Sequence, residues 1–530
     1  MRRAASFAPM LTDLLYVAGT LAFFALQSLM DSGAILNRRA RLLARRFRPR
    51  PVALACLLAL AGAIAGCRRE PVPADAQLVA QWLRTSLAFV RTERLGPPVA
   101  ARISAYGAIA LYEGLAADPD SRLRSMGGQL NGLPVLPAPP DGGPVDGATV
   151  AATAEALVLD SLFRDGFAST RRTIDSLAAA QVAARRAAGV NDELHDRSVR
   201  HGRALAAAIL DWAAGDGFFA TRGRPWAPQV ARGAWVNTVT TDQYVPHGLS
   251  GESDIVLVSN PGVALDAANA SERQLFVNRP KEANPRTTLP SFNPTRPTEP
   301  YWGTLRPIAL DAADECPAGT AVPYSAERGS PFWRMAAELY DSVKVVTPEK
   351  REIALFWSDN PVATGTPAFH WTSVIDQMIA RRGLDAERSA ELYALASVAM
   401  HDAFIGCWKT KYETMVMRPV TYVRAHLDSA WQPLFATPPF PEYPSGHSTI
   451  SAAAARVLIA ALGDTIPFVD STQTDIGRAP RAFRSFSHAR DEVAVSRIYG
   501  GIHFVPAVVD GVRQGECIGG RVLTRVRTRK

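Results

Sequence analysis

Basic and oxyanion-binding residue types recur in three short segments of the C-terminal part of the chain. Lys411 precedes Arg418 by seven residues, a Pro-Ser-Gly-His run occupies 444–447, and Arg497 precedes His503 by six. One lysine and two arginines supply three positive charges, and arginine presents a planar fork of donors that matches the oxygens of a phosphate-like anion. We therefore expect the three segments to surround one tetrahedral oxyanion.

The middle segment adds uncharged donors to this expected site. Ser445 offers a hydroxyl group, and Gly446 offers a backbone N–H that no side chain obstructs. The Ala-rich apolar run from Ser448 to Leu462 is typical of a helix. The Gly446 amide should then lie near the positive N-terminal end of that helix, where anions bind readily.

Two spacings of seven residues predict helices that carry the charged groups. Lys411 and Arg418 are two helical turns apart, so we expect them to share one face of a helix that the following proline ends. The spacing of Ser496 and His503 likewise predicts a third helix, which also carries Arg497 and ends near the next proline.

The set resembles the signature of the superfamily that joins type 2 phosphatidic acid phosphatases, bacterial acid phosphatases and vanadium-dependent haloperoxidases. That signature is Lys, six residues, Arg-Pro, then Pro-Ser-Gly-His, then Ser-Arg, five residues, His, and this chain satisfies each element in order. The resemblance implies that His447 is the general acid/base and that His503 is the vanadium ligand of a haloperoxidase or the phosphorylated nucleophile of a phosphatase. It implies that the oxyanion is held by Lys411, Arg418, Ser445, Gly446 and Arg497.

Two aromatic residues in register with the motifs bear on the choice between these branches. Trp408 lies three residues before Lys411, and Phe440 lies five residues before Ser445. Both positions resemble the aromatic halide pocket of the fungal vanadium chloroperoxidases, where an apolar wall favours a weakly hydrated halide over water. The alternative is that both are ordinary core aromatics.

Two acidic residues are candidates for orienting the site. In the families that the chain resembles, an Asp usually follows the last His by four residues; here position 507 is Ala and the nearest Asp is Asp510. We expect either Asp510 or a backbone carbonyl to orient His503. The stretch 356–359 resembles the segment whose Asp pairs with the last vanadate-binding Arg, so Asp359 is expected to pair with Arg497, or else to cap a helix.

The N-terminal segment predicts an exported protein. Arginines precede an apolar run at 52–65, and small residues then lead to Cys67, which together resemble a bacterial lipoprotein signal. Cleavage there would leave Cys67 lipidated and tether the protein on the periplasmic or cell-surface side of a membrane. A plain secretory signal or an uncleaved anchor is the alternative. The apolar stretch 14–30 is either a short transmembrane helix or part of an over-extended start, with Met30 as the true initiator.

Three cysteines remain beyond the leader, and an oxidising compartment would allow one disulfide among them. Cys407 and Cys517 lie on segments that the anion site should bring together, so we expect these two to pair and Cys316 to stay reduced. Free buried thiols are the alternative.

Composition and periodicity predict an all-α protein. With 530 residues, 47% of them hydrophobic and 20% charged, the chain can bury a large core. Ala-rich stretches with helical periodicity occupy most of it, whereas Pro, Gly, Asn and Thr interrupt the pattern from about 217 to 307. The formal charge of +8 owes much to the Arg-rich leader. Since no basic stripe with interleaved aromatics follows, binding of nucleic acid is not expected.

We predict two packed helical bundles with long irregular connections and an active site in the C-terminal bundle, as the resemblance to haloperoxidases implies. A faint similarity between 108–115 and 397–404 is consistent with such a duplication. The predicted parts are a leader at 1–67, an N-terminal bundle at 68–215, a loop-rich covering segment at 216–330 and a catalytic bundle at 331–530.

The resemblance implies a haloperoxidase with a vanadate cofactor, for which phosphate can compete. Its substrates would be hydrogen peroxide, a halide and a small organic acceptor, which the hypohalous product attacks. An acid phosphatase acting through a phosphohistidine is the alternative, because the same residues would stabilise the transition state of phosphoryl transfer. A non-catalytic surface lipoprotein is a further alternative, against which the intact motif residues argue.

Overall fold

The computed structural model describes residues 74–228, 231–238, 289, 292–293, 295–361 and 364–530, together with the backbone of two strands at 244–247 and 254–257. The predicted leader, with Cys67 and the apolar stretch 14–30, lies outside these residues, as does much of the loop-rich segment. Val72–Lys530 forms one compact unit. Among the described helices, none combines the length and the apolar character that crossing a membrane requires.

Helices make up most of the described chain, which confirms the all-α prediction. The N-terminal part contains α1 (Ala74–Thr92), α2 (Pro97–Ala116), α3 (Gly147–Leu162), α4 (Ala168–Ala187), α5 (Asp192–Ala214) and the short α6 (Phe218–Thr221). The C-terminal part contains α7 (Pro331–Lys344), α8 (Pro348–Phe356), α9 (Thr366–Arg382), α10 (Ala386–Thr414), α11 (Pro419–His426), α12 (Gly446–Leu462), α13 (Phe486–Tyr499) and α14 (Val505–Arg525). The division of the chain into a leader and three further parts stays a prediction.

Strands are few and short. In the first antiparallel pair, β1 (Tyr244–His247) lies beside β2 (Asp254–Leu257). In the second pair, β3 (Phe468–Asp470) lies beside β4 (Arg481–Phe483). Single 3-10 turns occupy Pro140–Gly142, Trp302–Thr304 and Thr474–Ile476.

Local sequence explains where many of these helices begin. A polar side chain accepts a hydrogen bond from a first-turn backbone N–H at seven helix starts, which satisfies a donor that the helix itself leaves unpaired. These capping residues are Asp146, Asn191, Ser330, Thr347, Asp385, Ser445 and Ser485. Proline in the first turn of α2, α7, α8, α11 and α14 suits the same position, because its missing N–H would have no helical partner there.

The long helix α10 is the centre of the core. It is buried along most of its length and packs against α2, α12 and α14. Helices α12 and α14 approach each other closely, because a Cβ at Gly515 would lie 2.1 Å from the Thr449 carbonyl oxygen. This close packing fixes the first turn of α12, which carries the Pro-Ser-Gly-His motif.

The disulfide differs from the one that the sequence predicts. Cys316 bonds to Cys517 of α14, while Cys407 is a buried free thiol whose Sγ lies 3.8 Å from the Pro444 carbonyl oxygen. The predicted Cys407–Cys517 pairing is therefore wrong. The motif segments do bring α10 and α14 together, but Cys407 faces the start of α12 and Cys517 faces the loop that contains Cys316.

A buried carboxyl group on α3 should make stability depend on pH. Glu155 is fully buried against Gly107 of α2, and burial raises its pKa to about 8. The folded state then keeps a proton that the unfolded chain releases near pH 4.5, so the stabilisation is complete below that pH and is lost as the pH rises towards 8. Glutamine at this position does not titrate. For each pH unit in this range, we expect Glu155→Gln to lose about 1 kcal/mol less unfolding free energy than the wild-type protein.

Urea unfolding of wild type and Glu155→Gln at pH 5.5 and 7.5 measures this effect. The wild-type protein should lose more unfolding free energy between the two pH values than the variant does. Equal losses would show that Glu155 titrates normally in the folded protein.

Candidate active site

The three motif segments converge on one buried site. The Arg418 guanidinium lies 3.1 Å from His503 Nε2, and the Lys411 ammonium donates to the Pro444 carbonyl directly before the middle motif. Of the predicted oxyanion-binding groups, Lys411, Arg418, Ser445, Gly446, Arg497 and His503 are all buried.

The helices that carry these groups differ in part from the prediction. Lys411 lies in the last turn of α10, which ends at Thr414, and Arg418 is the residue that precedes α11. The predicted shared helix for Lys411 and Arg418 is wrong because Met415 adopts a left-handed conformation, with φ of 48°, and closes α10. The following Pro419 begins a helix instead of ending one.

The third predicted helix is also interrupted. Helix α13 carries Arg497 in its last turn and ends at Tyr499, so His503 lies in the connection to α14. The break follows from two glycines. Gly501 has a φ of 73°, and a Cβ at Gly500 would lie 2.4 Å from the Phe435 ring. The proline predicted near the end of this helix instead lies in the first turn of α14.

The helix predicted after the middle motif is confirmed. Helix α12 begins at Gly446, and the Ser445 hydroxyl accepts a hydrogen bond from the Ser448 backbone N–H at 3.3 Å. A Cβ at Gly446 would lie 3.4 Å from the Trp408 ring and 3.9 Å from Lys411 Cε. The missing side chain therefore leaves the positive end of the helix open towards the site.

Two arginine donors and one imidazole nitrogen in the site have no hydrogen-bond partner within the described part of the chain. They are Arg418 Nη2, Arg497 Nε and His447 Nε2. Buried donors are nearly always paired in native proteins, so this concentration of unpaired groups indicates a ligand. Protein groups hold the arginines in place: Arg418 donates to the carbonyls of Phe440 and Ile502 at 2.9 Å each, and Arg497 donates to the Trp357 carbonyl at 2.5 Å.

Lys411 contributes positive charge to the site, but its hydrogen-bond donors are already used by the protein. Its Nζ donates to the carbonyls of Pro441, Glu442 and Pro444 at 2.9, 3.1 and 2.5 Å, which uses all three ammonium hydrogens. Burial lowers the pKa of Lys411 to about 7. A bound anion would favour the charged form of this group.

A buried glutamate orients His503. Arg418 can only donate hydrogen bonds, so its contact with His503 Nε2 requires a lone pair on that nitrogen. The proton must then be on Nδ1, which lies 2.9 Å from Glu442 Oε1. The same carboxylate oxygen accepts the Phe504 backbone N–H at 2.9 Å. Glu442 thus directs the Nε2 lone pair of His503 into the site.

Glu442, and not the predicted Asp510, is the residue that orients His503. Asp510 accepts a hydrogen bond from the Tyr443 hydroxyl at 2.6 Å and pairs with Arg513, so the predicted Asp510–His503 contact is wrong. The sequence patterns did not single out Glu442. Its available signal was its position, three residues before Ser445 in the same segment as the middle motif.

The electrostatic environment keeps both site histidines neutral. Burial, together with the charges of Arg418 and Lys411, holds the pKa of His503 well below its usual range. Burial and the charge of Arg497 do the same to the pKa of His447. A neutral His503 can act as a ligand or nucleophile through Nε2, and a neutral His447 can accept a proton.

Asp359 lies beside His447 but does not form the predicted pair with Arg497. Its Oδ2 is 3.7 Å from His447 Nε2, while its Oδ1 is 2.7 Å from His370 Nδ1. The Arg497 hydrogen bond goes to the Trp357 carbonyl, so Asp359 acts on Arg497 only through its charge.

The two predicted halide-pocket residues lie together. The Trp408 and Phe440 rings are buried, with centroids 4.9 Å apart. The Arg418 guanidinium carbon lies 4.9 Å from the Phe440 centroid, and Lys411 Nζ lies 5.1 Å from it. The pair thus forms an apolar wall directly beside two cations of the site.

Comparisons with known proteins agree with this arrangement. The family described as the VCPO second helical-bundle domain matches residues 391–529. The crystal structure of a protein described as the first bacterial vanadium-dependent iodoperoxidase superposes with a TM-score of 0.70 at 30% sequence identity, covering 87% of this chain and 99% of that one. The chain belongs to the vanadium haloperoxidase superfamily.

Other members of the superfamily are more distant or match only in part. The vanadium chloroperoxidase of Curvularia inaequalis is 30% identical over 137 aligned positions, which cover 21% of this chain and 22% of that protein. This match therefore spans about a fifth of the curated relative. A holo-type bacterial vanadium-dependent chloroperoxidase shares the fold, with a TM-score of 0.55 at 15% identity over 82% of this chain and 92% of that one.

The vanadium haloperoxidase superfamily implies a vanadate cofactor, and the residues present fit one. Vanadate is a tetrahedral oxyanion, and the unpaired donors of Arg418 and Arg497 are of the type that hold such an anion. The buried positive charges would also be compensated by it, since uncompensated charge in a protein interior is costly.

Proposed function

We propose that this protein is a vanadate-dependent haloperoxidase, which oxidises a halide with hydrogen peroxide to a hypohalous species that attacks a small organic acceptor. The observation that carries the proposal is the buried His503 imidazole, whose Nε2 lies 3.1 Å from Nη1 of Arg418, the arginine whose Nη2 donor is left unpaired. This is a site for a metal oxyanion that one imidazole anchors and arginines surround.

The chain's own residues have distinct tasks in this reaction. His503 Nε2 would bind the vanadium, while Arg418, Arg497 and the Gly446 amide would hold the oxygens and compensate their charge. Bound vanadate supplies Lewis-acid activation of peroxide without a change in its own redox state. His447 is neutral, so it can take the proton that hydrogen peroxide loses and return it later.

The apolar wall suits a halide as the second substrate. Trp408 and Phe440 exclude water from one side of the site, and a large halide loses its hydration shell more easily than water loses its hydrogen bonds. Arg418 and Lys411 behind the wall attract the halide's negative charge. A phosphatase would instead use this space for the alcohol part of a phosphate ester.

Peroxide-dependent halogenation of a dimedone-type acceptor tests the proposal. The purified protein is freed of phosphate, and vanadate is then titrated in with iodide, bromide or chloride present. We expect saturable turnover that requires vanadate and that phosphate suppresses. Hydrolysis of an aryl phosphate that vanadate inhibits, without halogenation, would assign the protein to the phosphatase branch. Neither activity would favour the non-catalytic alternative.

Phe440→His should change the halide preference. An imidazole at this position adds a hydrogen-bonding group to the apolar wall, which should favour a more strongly hydrated halide. We expect the ratio of kcat/KM for bromide and iodide to shift by about tenfold towards bromide. Phe440→Leu, which keeps the wall apolar, is the matched control. If the bromide-to-iodide ratio is unchanged in Phe440→His, Phe440 does not line the halide site and only packs in the core.

We also propose that the protein is exported and anchored by a lipid on Cys67, at the periplasmic or cell-surface side. The Cys316–Cys517 disulfide supports an oxidising compartment, since such bonds are rare in reducing ones. Replacing Cys67 with serine should release the protein from the membrane fraction into the soluble one. Retention of Cys67→Ser in the membrane fraction would contradict the lipid anchor.

A further inference from the structure

We propose that His370 and Asp470 form a positioning dyad that holds Asp359 beside His447. Neither residue belongs to the motif segments, and both are buried behind the site. The inference rests on the proposed function in one respect: the oxyanion site that the dyad supports is the one assigned to vanadate above.

An unbroken series of close contacts connects the dyad to His447. Asp470 Oδ2 lies 2.8 Å from His370 Nε2, and His370 Nδ1 lies 2.7 Å from Asp359 Oδ1. The second oxygen of Asp359 lies 3.7 Å from His447 Nε2. One side of the Asp359 carboxylate is therefore fixed by the dyad, and the other side faces the predicted acid/base.

The dyad is itself held from several directions. Asp470 Oδ1 accepts hydrogen bonds from the Thr472 backbone N–H at 2.9 Å, from the Thr472 hydroxyl at 2.6 Å and from the Gln377 amide at 3.3 Å. Asp470 ends β3, whose pairing with β4 fixes the backbone there. The carboxylate consequently has little freedom to leave His370.

Trp357 couples the dyad to Arg497. Its ring stacks on the His370 imidazole, with centroids 4.3 Å apart and an interplanar angle of 24°. Its carbonyl accepts the Arg497 guanidinium hydrogen bond. A shift of His370 would therefore displace both Asp359 and the Trp357 residue that orients Arg497.

Charge reinforces this geometry. Burial alone would lower the pKa of His370, but Asp359 and Asp470 outweigh it and raise the pKa to about 10. The imidazole is thus a cation that donates from both nitrogens, one to each aspartate. Hydrogen bonds between ionised groups are shorter and stronger than neutral ones. An aromatic face such as that of Trp357 stabilises a cation further.

The backbone conformation of Asp359 is also strained. Asp359 has a φ of 46°, and the β-branched Thr366 at the start of α9 has a φ of 63°. Both lie in the left-handed region that residues other than glycine seldom adopt. Such strain persists only where surrounding contacts impose it, and it is common at functional sites. The dyad supplies these contacts for Asp359.

A double-mutant cycle tests the dyad through binding. The dissociation constant of vanadate is measured by calorimetry for wild type, Asp470→Ala, Asp359→Ala and the double variant. We expect Asp470→Ala to weaken binding about tenfold in the wild-type background and less than twofold in the Asp359→Ala background. Asp470→Asn, which keeps an oxygen acceptor for His370, should stay within about threefold of wild type.

Two further variants make the result specific. His370→Gln breaks the dyad at its centre and should reproduce the loss, which keeps the test available if Asp470→Ala does not fold. Asp146→Ala removes a buried carboxylate that caps α3 and pairs with Arg185, far along the chain from the motifs. It should lower thermal stability and leave vanadate affinity unchanged.

The outcomes separate the dyad from the proposed function. Equal losses of affinity in both backgrounds would overturn the dyad, because Asp470 would then act without Asp359. Wild-type protein that binds vanadate but oxidises no halide would overturn the proposed function, while the cycle would still decide the dyad. Absence of vanadate binding by the wild-type protein would overturn both.

Discussion

Replacing His503 with alanine is expected to abolish vanadate retention. His503 Nε2 is a neutral imidazole nitrogen that a fixed Nδ1–H donor turns towards the guanidinium of Arg418, whose Nη2 has no partner in the described part of the chain. Without it the anion would be held by charge alone, which phosphate and solvent compete away. We expect the dissociation constant to rise by roughly a thousandfold, about 4 kcal/mol.

Calorimetry with vanadate, and gel filtration followed by vanadium analysis, measure the effect without relying on turnover. His488→Ala is the matched control, because His488 lies in the first turn of α13 and accepts the Arg484 backbone N–H. Its affinity should equal that of wild type. Unchanged affinity in His503→Ala would refute the assignment of the vanadium ligand.

The second large effect is expected at Glu442, because this carboxylate fixes the tautomer of His503. Glu442→Ala leaves Nδ1 without its acceptor, so Nε2 can take the proton and lose its lone pair. Loss of such an orienting partner typically costs 10–100-fold in metal affinity, and we expect a weakening of roughly 50-fold. Glu442→Gln keeps an oxygen that accepts from both His503 and Phe504, so it should recover most of the affinity.

Asp510→Ala provides the comparison for Glu442. The sequence alone offers Asp510 or a backbone carbonyl as the orienting group, whereas the Asp510 carboxylate contacts Tyr443 and Arg513. Vanadate affinity should therefore stay within about twofold of wild type in Asp510→Ala. A loss that matches Glu442→Ala would show that Asp510, not Glu442, controls the imidazole. Thermal unfolding of each variant separates this effect from a loss of folding.

The sequence was sufficient for those parts of the site that depend on residue type and on short spacing. The start of α12 at Gly446 follows from a serine cap and an apolar run, and both lie within a few residues of each other. The charged residues Lys411, Arg418 and Arg497 do meet around one site. Their helices were predicted less well, because a spacing of seven residues is uninformative when a left-handed Met415 or Gly501 breaks the helix between the two positions.

The partners that complete the site could not be read from spacing. Glu442 and His503 are 61 residues apart, and His370 and Asp470 are 100 residues apart. The packing of α9, α12 and α14 decides these pairs, and that packing depends on many weak contacts along whole helices. The same reason explains the disulfide: Cys407 and Cys316 both lie near α14, but only the direction of each side chain decides which reaches Cys517.

The Cys316–Cys517 bond joins positions 201 residues apart, and every residue from Asp359 to His503 that is assigned to the site lies between them. The catalytic segments therefore belong to one covalent ring. A protease that cuts the chain once anywhere inside this ring would leave both pieces attached to each other, so a nicked enzyme can keep its site assembled. In the exported location that we propose, such a ring would protect activity against cuts by extracellular proteases.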